Sequence, residues 1–332
     1  MKRLSDQRTL LSIALTLWLG AIFCATGLSD ELSIEDRAKH IILTAPEGWQ
    51  LDSQSSAERL GFVGPKASGV ISSLTVQSWL DGRGLEAVEA SLLTESLRIT
   101  PDQIEESEPL AAEQLDGIDL GHSYLRVERG RRSRIVIALT RNGPNVISLT
   151  FVLPESIYDR KQSLILECLA SVQTTPLTPA FVDEEMGIRF FDLPDGFEVD
   201  AERTEAGQVI TWRLEQEGRS LGSLSAQMTR LRGANLSDGV QKRLEKIRSA
   251  PDLRTPETRS FYLTGQEGTL IEYVREYEGG SLLNTCWEIY ILVGHRLYFL
   301  RCSAETENFE RRMRPLFDQF MRSIEIDVSP AD

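Results

Sequence analysis

Five arginines crowd into a short stretch of this chain: Arg126, Arg129, Arg131, Arg132 and Arg134. Guanidinium groups grip carboxylates and phosphates through forked hydrogen bonds. In a chain of formal net charge −14, such a cluster is a candidate docking point for an anionic partner, whether lipid phosphate, polyanion or acidic protein. The competing reading is a solvated hairpin tip whose charge also discourages edge-to-edge pairing. Surface charge runs ordinarily need no partner, which favours the second reading.

Other reactive residue types lack the spacing that chemistry needs. The histidines are His40, His122 and His295, and none has a second histidine at metal-ligand spacing. The H-E-x-x-H, G-x-S-x-G, Walker and G-x-G-x-x-G patterns do not occur; Gly82-Arg83-Gly84 lacks the third glycine. Glu105-Glu106 and Asp183-Glu184-Glu185 are acidic runs, but neighbours on a strand point to opposite faces and make no acid/base pair. No catalytic residue, metal site or cofactor is therefore expected. A hydrolase built on scattered carboxylates is the weakest alternative, since it needs two acids converging in one pocket.

Cys168, Cys286 and Cys302 remain beyond the N-terminal stretch. An odd, small number is no disulfide framework, and no C-x-x-C is present. No disulfide is expected. Cys286–Cys302 is the only candidate, but a two-residue turn within Val293-Gly294-His295-Arg296 would pair Trp287 with Cys302 and point Cys286 to the other face.

The elements that position these residues begin with the N-terminus. Lys2, Arg3 and Arg8 precede an apolar run from Thr9 to Phe23, followed by Ala25-Thr26-Gly27. This reads as an export signal over residues 1–27 and predicts a periplasmic or extracellular protein. A retained N-terminal anchor is the alternative, although the run is shorter than a bilayer span. Phe23 before Cys24 argues against lipidation. Removing the signal leaves 33 basic and 49 acidic residues, a net of −16. That charge repels nucleic acid and anionic lipid at long range and favours a soluble monomer, and no later segment has the unbroken apolar length to span a bilayer.

The chain is written twice. Leu43–Asp52, LTAPEGWQLD, returns at Phe191–Asp200 as FDLPDGFEVD, with Pro46, Gly48, Trp49 and Asp52 displaced by 148 residues to Pro194, Gly196, Phe197 and Asp200. Leu164, Ile165, Cys168, Leu169 and Val172 return 152 residues later as Leu316, Phe317, Phe320, Met321 and Ile324. This is a duplication with small loop insertions. It makes Cys168 a core residue rather than a nucleophile, because its counterpart is Phe320. The Pro-x-Gly stretch is expected to form a hairpin turn, with Trp49 or Phe197 plugging a core. Each copy then reads as strands, a helix (Leu85 to Ser96; Leu236 to Ile247), four more strands and a terminal helix. Ser29–Ala38 is expected to be a frayed lead-in. Domains are expected at 39–174 and 181–327, joined by a linker at 175–180. Trp79, Trp212 and Trp287 are expected in cores, and Asn235 as a helix cap rather than a glycosylation site.

Two copies of Pro-x-Gly-aromatic, the Gly143 and Gly294 hairpins and the terminal helices resemble the PsbP-like superfamily, which includes DcrB-like envelope proteins. The resemblance implies an α+β fold, with tandem α/β/α sandwich domains, each a mainly antiparallel sheet flanked by helices. It also implies a non-catalytic binding or accessory role on the exported side of a membrane, and offers no catalytic residues. Unknown protein or small-ligand partners follow as the expectation. A carrier of a small apolar ligand, held between sheet and helix or between domains, is the alternative.

Overall fold

The computed structural model describes residues 32–56, 59–111, 115, 117–191, 197–204, 207–216, 219–230, 235–277 and 282–326. The expected signal at 1–27, the Pro194–Gly196 turn and the Phe197 side chain lie outside what is described. The first half contains β1 (Ser33–Asp36), β2 (Ile41–Thr44), β3 (Gln50–Leu51), β4 (Arg59–Ala67) and β5 (Val70–Leu80). Helix α1 (Leu85–Ser91), continued by a π-turn over Leu92–Ser96, leads to β6 (Ile104–Pro109), β7 (Leu120–Glu128), β8 (Arg131–Asn142) and β9 (Asn145–Pro154). Helix α2 (Glu155–Ala170) and β10 (Gln173–Thr174) close it.

The second half runs through β11 (Phe181–Asp183), β12 (Ile188–Phe190), β13 (Phe197–Thr204), β14 (Gly207–Gln216) and β15 (Arg219–Arg230). Helix α3 (Leu236–Ser249) precedes β16 (Leu253–Leu263), β17 (Gln266–Tyr277), β18 (Leu282–Val293) and β19 (Arg296–Glu305). The terminal helix comes in pieces: α4 (Thr306–Asn308), a π-turn over Phe309–Met313 and α5 (Arg314–Arg322), then β20 (Ile324–Ile326). Pro315 follows the π-turn directly, within continuous helical backbone, where it has no N–H to give to the preceding turn.

The two halves have one topology. Their seven-stranded antiparallel sheets are ordered β3-β4-β5-β9-β8-β7-β6 and β13-β14-β15-β19-β18-β17-β16. Each half adds a three-stranded sheet, β1-β2-β10 or β11-β12-β20. The β8–β9 and β18–β19 hairpins turn at Gly143 and Gly294, with φ of +57° and +58°, which glycine adopts without strain.

Helix layers lie on both faces of each sheet. The alternation of β5 sends Leu74 and Val76 to one face, where they join Phe62, Phe151, Ile165 and Leu169 under α2 and β2. The other face carries Tyr124, Ile135, Ile137 and Leu139 against Val88 and Leu92 of the α1 segment. In the second half Trp212, Leu224, Phe317 and Phe320 make the first kind of layer. Val240, Leu244 and Ile247 of α3 meet Ile271, Tyr273 and Cys286 in the second. This is the expected pair of α/β/α sandwiches. The Asn235 side chain accepts a hydrogen bond from the Ser237 N–H at 3.0 Å, the expected cap.

Two local expectations change. The Pro46–Gly48 turn is not a hairpin, because β2 pairs with β1 and β10 while β3 pairs with β4. The turn carries the chain from the small sheet to the large one. A Pro/Gly signal marks the change of direction but does not say which strands pair. The lead-in also contains a strand: β1 pairs along β2, and Ile34 is buried in the core. Two apolar residues, Leu32 and Ile34, among acids are too short an alternation to show a strand whose partner lies next in the chain.

Candidate functional site

The arginines fall on the β7–β8 hairpin, whose two-residue turn is Arg129-Gly130. Most of their charge is spent within the domain. Arg126 pairs with Glu128 at 2.7 Å. Arg132 grips Glu155 at the start of α2 and Glu105 on β6, both at 2.7 Å. Hydrogen bonds from Arg132 hold the Glu155 carboxyl below the usual range. Arg134 donates to Glu106 at 3.0 Å and lies over the Tyr158 ring at 5.3 Å. Arg129 and Arg131 remain exposed at the tip with no carboxylate partner among the described residues.

Cys168, Cys286 and Cys302 are free and buried. Trp287 pairs with Cys302, and Cys286 with Ser303. Cys286 and Cys302 therefore face opposite layers. Burial pushes the Cys168 thiol up to about 12, which removes it as a nucleophile at neutral pH.

A polar cluster not legible from residue spacing lies inside the second half. Glu288 is fully buried. It accepts hydrogen bonds from Arg243 at 2.6 and 2.7 Å, from Tyr273 at 2.7 Å and from Tyr290 at 2.9 Å. Burial pushes its carboxyl up, and these hydrogen bonds more than offset that, so it stays below the usual range. The first half has a smaller analogue: His122 Nδ1 lies 2.9 Å from both oxygens of buried Glu89. Ser123, next on β7, points to the opposite face and supplies no nucleophile to that histidine. Both clusters tie a helix to a sheet.

The open site is a cleft of about 450 Å³ in the first half, between the β3–β4 edge and α2. Trp49, Leu153, Ile157 and Ile165 are its buried apolar lining; Glu47, Gln50 and Lys161 are its exposed polar groups. Helical spacing puts Ile157, Lys161, Leu164 and Ile165 on one face of α2. The Pro46–Gly48 crossing delivers Trp49 opposite Gly64, and a Cβ on Gly64 would come within 2.5 Å of the indole. The ring can lie there only because residue 64 has no side chain.

The second half fills the same place. By register, Phe62 pairs with Leu74 as Trp212 pairs with Leu224, so Gly64 corresponds to buried Leu214. Lys161 and Ile165 correspond at the helix offset of 152 to Met313 and Phe317, both fully buried; before the π-turn over Phe309–Met313 the offset is 151, which sets Phe309 at buried Tyr158. A second pocket, about 180 Å³, contains the acids Glu257 and Glu272 with Arg259 and Arg314. There Glu272 accepts from Trp287 Nε1 at 2.9 Å and from Arg314 at 2.7 Å. Among the described residues, no group of three or more acidic, histidine or cysteine side chains is placed to hold a metal, and no helix is long and apolar enough to cross a membrane.

No family model and no curated protein matches the chain. Solved structures do. The cyanobacterial PsbP (CyanoP) from Synechocystis sp. PCC 6803 is 14% identical over 44% of this chain and 90% of its own, with a TM-score of 0.34. The Saccharomyces cerevisiae Ran-binding protein Mog1p is 11% identical over 45% and 97%, with a TM-score of 0.32. Within this chain the two halves repeat one strand order. The T6SS immunity protein TplEi from Pseudomonas aeruginosa, in complex with an "L" peptide, is 9% identical over 91% and 99%, with a TM-score of 0.30. None of these likenesses carries a residue role across to this chain.

Proposed function

We propose that this is an exported, non-catalytic binding protein of the cell envelope, built from domains at 39–174 and 181–327 around a linker at 175–180. β1 adds a strand before the first domain. The observation that carries the reading is the cleft of the first half, open where its duplicate is filled. Two copies of one fold bury the same layers, so packing alone gives no reason for Gly64, Lys161 and Ile165 to stand where Leu214, Met313 and Phe317 close the other copy. Its volume and mainly apolar lining suit a small ligand. That favours the ligand-carrying form of the reading over docking through the arginine tip, where Arg129 and Arg131 alone are left to meet a partner. A hydrolase using Glu257 and Glu272 is disfavoured, because Glu272 already serves Arg314 and Trp287 as an acceptor.

Native mass spectrometry of the protein purified from its own host tests this. The wild type should carry an added mass. A variant with Ile157→Phe and Ile165→Phe, which fills the cleft and at residue 165 copies the second half, should lose it while keeping its circular dichroism. A wild-type chain at its bare mass would sink the reading.

A further inference from the structure

We propose that the cleft takes a single-chain amphiphile with one negative charge, a fatty-acid-like carboxylate, whose head is met by Lys161. This rests on the cleft being a ligand seat and specifies what sits there.

The apolar floor of Trp49, Leu153, Ile157 and Ile165 takes the hydrocarbon. Of the polar side chains around it, Lys161 and the Trp49 indole donate, Gln50 can do both and Glu47 accepts. Lys161 has no ion-pair or hydrogen-bond partner among the described residues, in a chain with 50 acids to offer. The indole N–H of Trp49 likewise has no acceptor among the described residues. An ammonium and an N–H beside an apolar floor call for an acceptor-rich, negatively charged head. Glu47 is the only acid on the lining. It sits on the turn beside Trp49, and a second negative charge on the ligand would meet it, so one charge fits better than two.

A peptide added as a strand fits poorly. The lip of the cleft includes Pro65, which has no N–H to offer, and β4 breaks its register between Val63 and Lys66. β3 pairs with β4 through two residues only. The ligand must therefore be held by side chains and not by a backbone ladder. In the second half Met313 replaces Lys161, so the charge is missing along with the space.

The test titrates decanoate, decanol and decyltrimethylammonium into the full chain. The readout is the indole ¹⁵N–¹H signal of Trp49, assigned with Trp49→Phe. Decanoate should bind about tenfold more tightly than decanol, the effect of one charge-assisted hydrogen bond. Lys161→Met should remove that preference and leave decanol binding unchanged. Ile157→Phe with Ile165→Phe should abolish binding of all three. Equal binding of decanoate and decanol, or a preference for the cation, would overturn the carboxylate while leaving the ligand seat standing. No binding by any of the three would overturn the amphiphile class; the host-purified mass spectrum decides separately whether the cleft carries a ligand at all.

Discussion

At the scale of residues, the duplicate serves as an internal control. Tyr124 pairs with Ile135 as Tyr273 pairs with Cys286, so buried Ile137 of the first half stands where the second half has Glu288. A carboxylate in a core position is tolerable only with its partners in place. Arg243→Ala should cost about 3–5 kcal/mol in urea unfolding, because Glu288 is then buried unpaired. Glu288→Ile, which copies the first half, should recover much of that loss in the double variant; a double variant no more stable than Arg243→Ala would show that the network is not what the arginine supports. The sign of the pH effect follows from the lowered carboxyl. Its stability contribution is present above the unfolded-state pKa and is lost as pH falls through the lower folded-state pKa. The melting temperature should fall on acidification, and Glu288→Gln should flatten that acid limb. The sequence shows Glu288 only as one acid in a strand. What makes it special is that three donors, from α3, β17 and its own strand, arrive at the same point.

At the scale of elements, the arginine hairpin shows how a legible cluster changes meaning on folding. Its tip position was readable from Gly130 and the flanking alternation. Its partners were not, since Glu105, Glu106 and Glu155 reach it only once β6 lies beside β7 and α2 begins at the end of β9. The hairpin thereby fastens an edge strand and a helix start to the sheet. Arg134→Ala, which removes a mostly buried guanidinium from Glu106 and Tyr158, should destabilise the chain by about 2 kcal/mol in chemical denaturation. Arg129→Ala and Arg131→Ala should stay within about 0.5 kcal/mol of wild type. Equal effects at all three positions would mean that the ion pairs do not distinguish the stem from the tip.

At the scale of the molecule, the halves meet through backbone. The Gly265 N–H donates to the Gly82 carbonyl at 2.8 Å, and a Cβ on Gly82 would come within 1.9 Å of the Tyr262 carbonyl oxygen. Arg83 and Trp79 bind Asp81, and Arg141 donates to the Asp81 carbonyl, so the receiving loop is held stiffly. Gly82→Ala should therefore push the β16–β17 turn away and separate the unfolding of the two halves. Calorimetry should show one transition becoming two, whereas an unchanged single transition would remove this contact from the coupling between them. Gly82 drew notice in the sequence only as part of an incomplete glycine motif. By itself the sequence determined the duplication, the order of strands and helices in each copy, the terminal-helix core stripe and the two-residue hairpins, because periodicity, turn residues and repeated spacing are local and survive in one dimension; the antiparallel α/β/α layering was only what the family resemblance implied. It left open which sheet each side of the Pro46–Gly48 turn would join, who would neutralise the arginines, and that a cleft would open beside Trp49. Those depend on residues far apart in the chain occupying one volume, and on Gly64 and Lys161 leaving space that Leu214 and Met313 fill in the other copy.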